Sequence, residues 1–184
     1  MIKAVGMTRK GGGIMKLTYL IAATAMVLLP TSAHAEETRA LDHFTRADLE
    51  QALRAAGATI APTQAQGQRI VFTFSEKVTA EAMLMSCEDE QREVKCLGSA
   101  LLASFAADEN RTTEQSINAI NLYNYNENFG RAAMGPDGVI SVQMYIIADG
   151  GITPANYSRQ MELWFTSATN FYNYLYEQPA SGQP

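Results

Sequence analysis

Apolar positions along this chain change period several times, and each change marks an element. Leu49, Ala52, Leu53 and Ala56 fall at helical spacing on one face. Thr45 is placed to cap that helix, Asp48 stands at the reciprocal position of a capping box, and Phe44 is set to staple onto Leu49. Gly57 suits the left-handed position that ends it. Residues 58–68, rich in Gln, Ala and Thr and holding Pro62 and Gly67, read as a linker. The period then falls to two: Ile70, Phe72 and Phe74 share one face of a strand over residues 69–75. Residues 82–88 and 93–105 flank a polar tip and read as a hairpin. If Cys87 faces Cys96, the same register sets Met85 against Gly98 and Met83 against Ala100, large against small.

After a polar turn at 106–111, Thr112 caps a second helix, with Gln115 at the box position and an end near Asn126. Ile117, Ile120 and Asn124 share its predicted inner face. Residues 130–134 and 139–148 pair around Gly135-Pro136-Asp137-Gly138, whose proline and final glycine fit a type I turn. Gly150-Gly151 reverses the chain, and Thr153-Pro154 opens a long helix, cap then proline at the first helical position. Tyr157, Met161, Trp164, Ala168, Phe171 and Leu175 form its apolar stripe, widened by Phe165 and Tyr172. The order helix, three strands, helix, two strands, helix predicts an α+β domain: an antiparallel five-stranded sheet with helices packed on one face. Residues 177–184 read as a disordered tail.

The first 35 residues do not fit this scheme. They hold four basic residues and no Asp or Glu. Lys16, the apolar run 17–29, Pro30 and then Ala33-His34-Ala35 make a charged start, an apolar middle and a small-residue cleavage site. The run is shorter than the roughly 20 residues that span a bilayer. Residues 1–35 therefore read as a secretory signal peptide, with Met15 as the true start and residues 36–44 as a polar lead-in to the domain. Removing four of the fourteen Lys and Arg leaves ten against nineteen acidic residues, a net charge of −9 for the mature chain. That balance argues against nucleic acids and anionic membranes as partners. No stable membrane span remains after cleavage.

The segment Asn121-Leu122-Tyr123-Asn124-Tyr125-Asn126-Glu127-Asn128-Phe129-Gly130-Arg131-Ala132 resembles the signature of the bacterial YbjN domain family. So does the strand that follows, with Gly150-Gly151, Thr153 and a helix bearing Trp164. In that family an aromatic-Asn pair closes the middle helix, a Phe-x-Arg-Ala-type strand start follows, and a Gly-Gly turn precedes the last helix. Tyr123-Asn124 stands here where Trp-Asn is more usual. The resemblance covers residues 45–176, most specifically in the C-terminal half. It implies a type III secretion chaperone-like fold of order αβββαββα and a role as a sensory transduction regulator. It implies no reaction and no cofactor.

Candidate chemistry is sparse. Export places Cys87 and Cys96 in an oxidising compartment, where their spacing suits a cross-strand disulfide; no Cys-x-x-Cys motif supports a redox role. Asn121 and Asn124 either tie the second helix to its neighbours or face a ligand. Arg131 either makes a surface ion pair or holds an acidic peptide. Gly150-Gly151 before a helix suggests a phosphate cradle, but no Lys-Ser/Thr follows and backbone reversal explains it better. His43 is the one histidine of the mature chain, and no nucleophile–base pair or metal-ligand spacing stands out. The expectation is thus a periplasmic or secreted, non-enzymatic binding or regulatory module of YbjN type. It would hold a protein or peptide partner on its sheet or a helix, with no metal and no cofactor. The alternative is a small-ligand-binding protein or enzyme with a pocket near Tyr123, Asn124 and Arg131. Pairing of two copies through the last helix, giving a homodimer, is a further arrangement to test, and a structural envelope protein is the plainest reading.

Overall fold

The structure, a computed structural model, describes residues 40–62, 69–76, 78–106 and 110–177. The predicted signal peptide and residues 36–39 of the lead-in lie outside these residues, as does the tail beyond Glu177. The elements in chain order are α1 (Arg46–Ala55), β1 (Thr59–Ile60), β2 (Arg69–Ser75), β3 (Val78–Met85), β4 (Gly98–Phe105), α2 (Thr113–Asn126), β5 (Arg131–Met134), β6 (Ile140–Ile147) and α3 (Pro154–Tyr172). A π-helical turn, Asn173–Glu177, follows α3.

Local chemistry sets the helix ends. Thr45 and Asp48 form a reciprocal capping box, and so do Thr112 and Gln115. Each box satisfies two N–H groups that the first turn would otherwise leave open. Thr153 caps α3 from the residue before Pro154, which needs no amide partner. Gly57, at φ +92°, turns the chain out of α1, and Ala58 N–H returns to Leu53 O. Between β5 and β6, Gly138 N–H reaches Gly135 O at 3.0 Å, the bond of the predicted turn.

The strands make one antiparallel sheet in the order β1-β2-β3-β4-β6-β5. It has six strands, not the five expected. The addition is β1, whose Thr59 and Ile60 pair with Thr73 and Phe72 inside the stretch read as a linker. Two residues are too few for alternation to show. The central hairpin has the register that the cysteines implied, Met83 opposite Ala100 and Met85 opposite Gly98. Its first strand begins earlier than expected, at Val78, and ends at Met85, and its second begins only at Gly98, because residues 86–97 form an irregular arm.

One face of the sheet carries the core. Ile70, Phe72, Val78, Ala80, Ala82, Leu101, Ala103, Phe105, Ile140, Val142 and Ile146 are all buried there. α3 lies against it through its predicted stripe. Phe165 contacts the rings of Phe72 and Phe74, Trp164 that of Phe74, and Phe171 that of Phe105. Burying one such side chain contributes about 1.5–3 kcal/mol. α1 packs on α3 with Leu49, Ala52 and Leu53.

α2 buries Ser116, Ala119, Ile120 and Tyr123. Ile117 is exposed and Asn124 points out of the core, so the inner face is turned by about one residue from the expected one. The large ring of Tyr123 decides this. It packs edge-on against Phe171, and its hydroxyl meets Ser167 Oγ at 2.8 Å, a partner invisible in the local pattern.

Candidate functional site

Tyr123, Asn124 and Arg131 are near one another in the chain, but their side chains do not converge. The Tyr123 hydroxyl is buried and spent on Ser167; burial pushes its pKa up to about 12, partly offset by that hydrogen bond. Asn124 is spent on backbone. Its Nδ2 donates to Ala132 O at 3.0 Å and its Oδ1 accepts from Ala132 N–H at 2.9 Å. The amide thus stands in for a neighbouring strand and staples α2 to β5. Arg131 is exposed, at the end of the outer row Val71, Glu81, Leu102, Gln143 and Arg131.

Gly130 explains how the staple fits, and sequence reasoning gave it no role. Its φ is +128°, a region that side chains avoid, and a Cβ there would sit 2.6 Å from Tyr123 Oη and 3.2 Å from Trp164 Cδ1. Only a glycine lets the chain pass over these rings. Trp164 Nε1, buried beside them, has no hydrogen-bond partner among the described residues.

The second candidate is the arm between β3 and β4. Cys87 and Cys96 are joined, with S–S 2.04 Å. Around them Ser86, Glu93 and Lys95 hold positive φ, each a costly conformation for a residue with a Cβ. Asp89 Oδ1 accepts from the N–H groups of Gln91 and Arg92, which shapes the tip. Cys96 is fully buried because Phe44 lies along it. Phe44 N–H donates to Cys96 O at 2.7 Å, and Cys96 N–H donates back at 3.3 Å. The Phe44 ring stacks on Tyr157 at 4.1 Å, and the Tyr157 hydroxyl donates to Ser99. Leu41 pairs in the same way with Ile152, at 2.7 and 2.9 Å. Residues 41–44, polar in outline, therefore hold two buried apolar anchors.

The third candidate is the uncovered face of the sheet. Register places Arg69, Met83, Ala100 and Tyr145 in one row and Met85, Gly98 and Ile147 in the next. Tyr145 is 53% exposed and Ile147 58%. Arg69 and Glu81 pair across this face at 2.6 Å. The sequence does carry a signal for it. β6 alternates cleanly at Ser141 and Gln143, then places apolar residues on both faces from Met144 to Ile147. A strand with one wet side should read polar there.

Among the described residues no three His, Cys, Asp or Glu side chains gather to hold a metal, and no helix is long and apolar enough to cross a membrane. The class defined by this fold is a small α+β domain, roofed by helices on one side of its sheet and, among the described residues, with no helix on the other. The chain belongs to the YbjN family, whose model, described as "Putative bacterial sensory transduction regulator", matches residues 41–177. Neither a curated protein nor a solved structure matches the chain.

Proposed function

We propose that this chain is an exported, non-enzymatic YbjN-type module that regulates by holding a protein or peptide partner. The observation that carries this reading is the bare sheet face. Met83, Met85, Tyr145 and Ile147 form an apolar corner on a surface that no helix among the described residues covers. The family's description as a regulator supports it. So does the commitment of Tyr123 and Asn124 to internal hydrogen bonds, which leaves the proposed small-ligand pocket without two of its three residues. Export is supported by the leader-like pattern of residues 1–35 and by a disulfide, which persists best in an oxidising compartment. The type III secretion chaperone-like architecture belongs to the same proposal. With two-residue β1 set aside, the element order is αβββαββα. Export would separate the protein from cytosolic effectors, so the likeness concerns shape and not that task.

One experiment tests location and partnership together. The native protein is fractionated, its thiols are alkylated, and the mature form is used for pull-down from the periplasm. The expected result is a periplasmic or secreted chain starting near Glu36, resistant to alkylation without reductant, with a stoichiometric protein partner. Cytoplasmic protein that keeps its leader and has two reactive thiols would refute export. A tightly held small molecule in place of a protein would refute the binding-module reading.

A further inference from the structure

The outer edge of the sheet is closed along only half its length. β6 pairs with β4 through all of Ile140–Ile147, but with β5 only through residues 140–143. Hydrogen bonds on the two sides of β6 show which main-chain groups this leaves over. Asn124 takes both the N–H and the C=O of Ala132, so those groups point away from β6, while Arg131 and Ala133 face it. On the other side, Ala148 N–H donates to Leu97 O next to β4. Alternation along the strand then turns Val142, Met144 and Ile146 toward β4, and Ser141, Gln143, Tyr145 and Ile147 toward the β5 side. Beyond Gln143 no strand among the described residues lies on that side. The N–H and C=O groups of Tyr145 and Ile147 look out from a bare edge. Gly130 is the cause. Its positive φ, packed over Tyr123 and Trp164, starts β5 at Arg131 and keeps the preceding chain from running on beside Tyr145.

Proteins usually blunt such edges with charge, proline, a bulge or brevity. The opposite edge follows this rule, since β1 is two residues long and Pro62 follows it closely. Met144-Tyr145-Ile146-Ile147 has none of these devices. Tyr145 and Ile147 also present apolar side chains on the bare face beside Met85 and Ala100. Exposed Asp149 stands just past the open stretch, and the mature chain has a net charge of −9.

We infer that β6 at residues 144–147 is a strand-addition site for an extended, proline-free peptide segment with alternate apolar residues and a basic flank. The site rests on the binding-module reading and gives that reading a place. Main-chain pairing to Tyr145 and Ile147 supplies the affinity, and the apolar corner selects side chains on the bare face. The acidic balance of the chain favours the basic flank.

The probe is a short synthetic peptide of alternating isoleucine and threonine with lysine at both ends, added to the disulfide-bonded mature chain. Amide hydrogen exchange is followed at single residues. Saturable protection of the Tyr145 and Ile147 amides is the expected result. Ile147→Lys, at an exposed position, should keep the circular dichroism and melting temperature but weaken binding about tenfold or more. Backbone N-methylation of the peptide on its pairing side should do the same. Unchanged exchange at both residues, or equal binding by Ile147→Lys, overturns the site. A natural partner that binds wild type and Ile147→Lys equally also overturns the site while the binding-module reading stands. Failure to capture any natural partner counts against that wider reading, and the peptide experiment still decides the edge.

Discussion

Gly130 is the residue on which the second helix, the edge strand and the core all depend. A Cβ there meets Tyr123 Oη at 2.6 Å, Val142 Cγ1 at 3.1 Å and Trp164 Cδ1 at 3.2 Å, and φ is +128°. These neighbours are buried and cannot retreat cheaply. The backbone penalty and the overpacking add, so Gly130→Ala should destabilise by about 2–4 kcal/mol. Urea unfolding followed by Trp164 fluorescence measures this, and a loss below about 1 kcal/mol would show that the rings can yield. Asn124 illustrates a different economy. Its one side chain supplies both partners that Ala132 would find in another strand, and so ends the sheet at β5 without leaving that residue's main chain open.

At the scale of elements, the disulfide arm matters most. It holds three non-glycine residues at positive φ and offers its backbone to Phe44. Reduction restores freedom to a short loop in the unfolded chain, for which the chain-entropy model gives a stability loss of about 2.7 kcal/mol. The denaturation midpoint should fall by that equivalent in reductant, with protection lost first at Phe44 and Cys96 in hydrogen exchange. An unchanged midpoint would show that the arm's hydrogen bonds suffice without the bond. This arm also shows where sequence reading reaches its limit. The register of β3 on β4 was legible because two cysteines and a large-against-small pattern fixed it. The caps of all three helices were legible because capping is a contact over three residues. The burial of Phe44 and the turned face of α2 were not. Each depends on a partner far along the chain: Tyr157 and Cys96 for Phe44, Ser167 for Tyr123. The candidate site fared likewise. Tyr123, Asn124 and Arg131 lie close together in the sequence, whereas the outer sheet face is assembled from β3, β4 and β6 and shows in β6 only as a broken alternation.

The molecule as a whole keeps two neutral phenols in its interior. Burial raises the pKa of Tyr123 to about 12 and that of Tyr157 further, each against a hydrogen bond that pulls the other way. In the unfolded chain both ionise near 10.0. Above that pH the unfolded state releases protons that the folded state retains, so stability is complete below pH 10 and declines as pH rises toward and through 12. Unfolding midpoints measured across this range should fall, and Tyr123→Phe should flatten the decline. A midpoint that holds steady up to pH 12 would mean that the phenols are wet. The lead-in has a consequence for the order of events in folding. Leu41 is joined to Ile152, so the first described β-bridge cannot close until most of the domain has been made. A chain made amino end first on a ribosome therefore carries Leu41 unmatched almost to the last. Such late closure favours slow, whole-domain completion over piecewise folding.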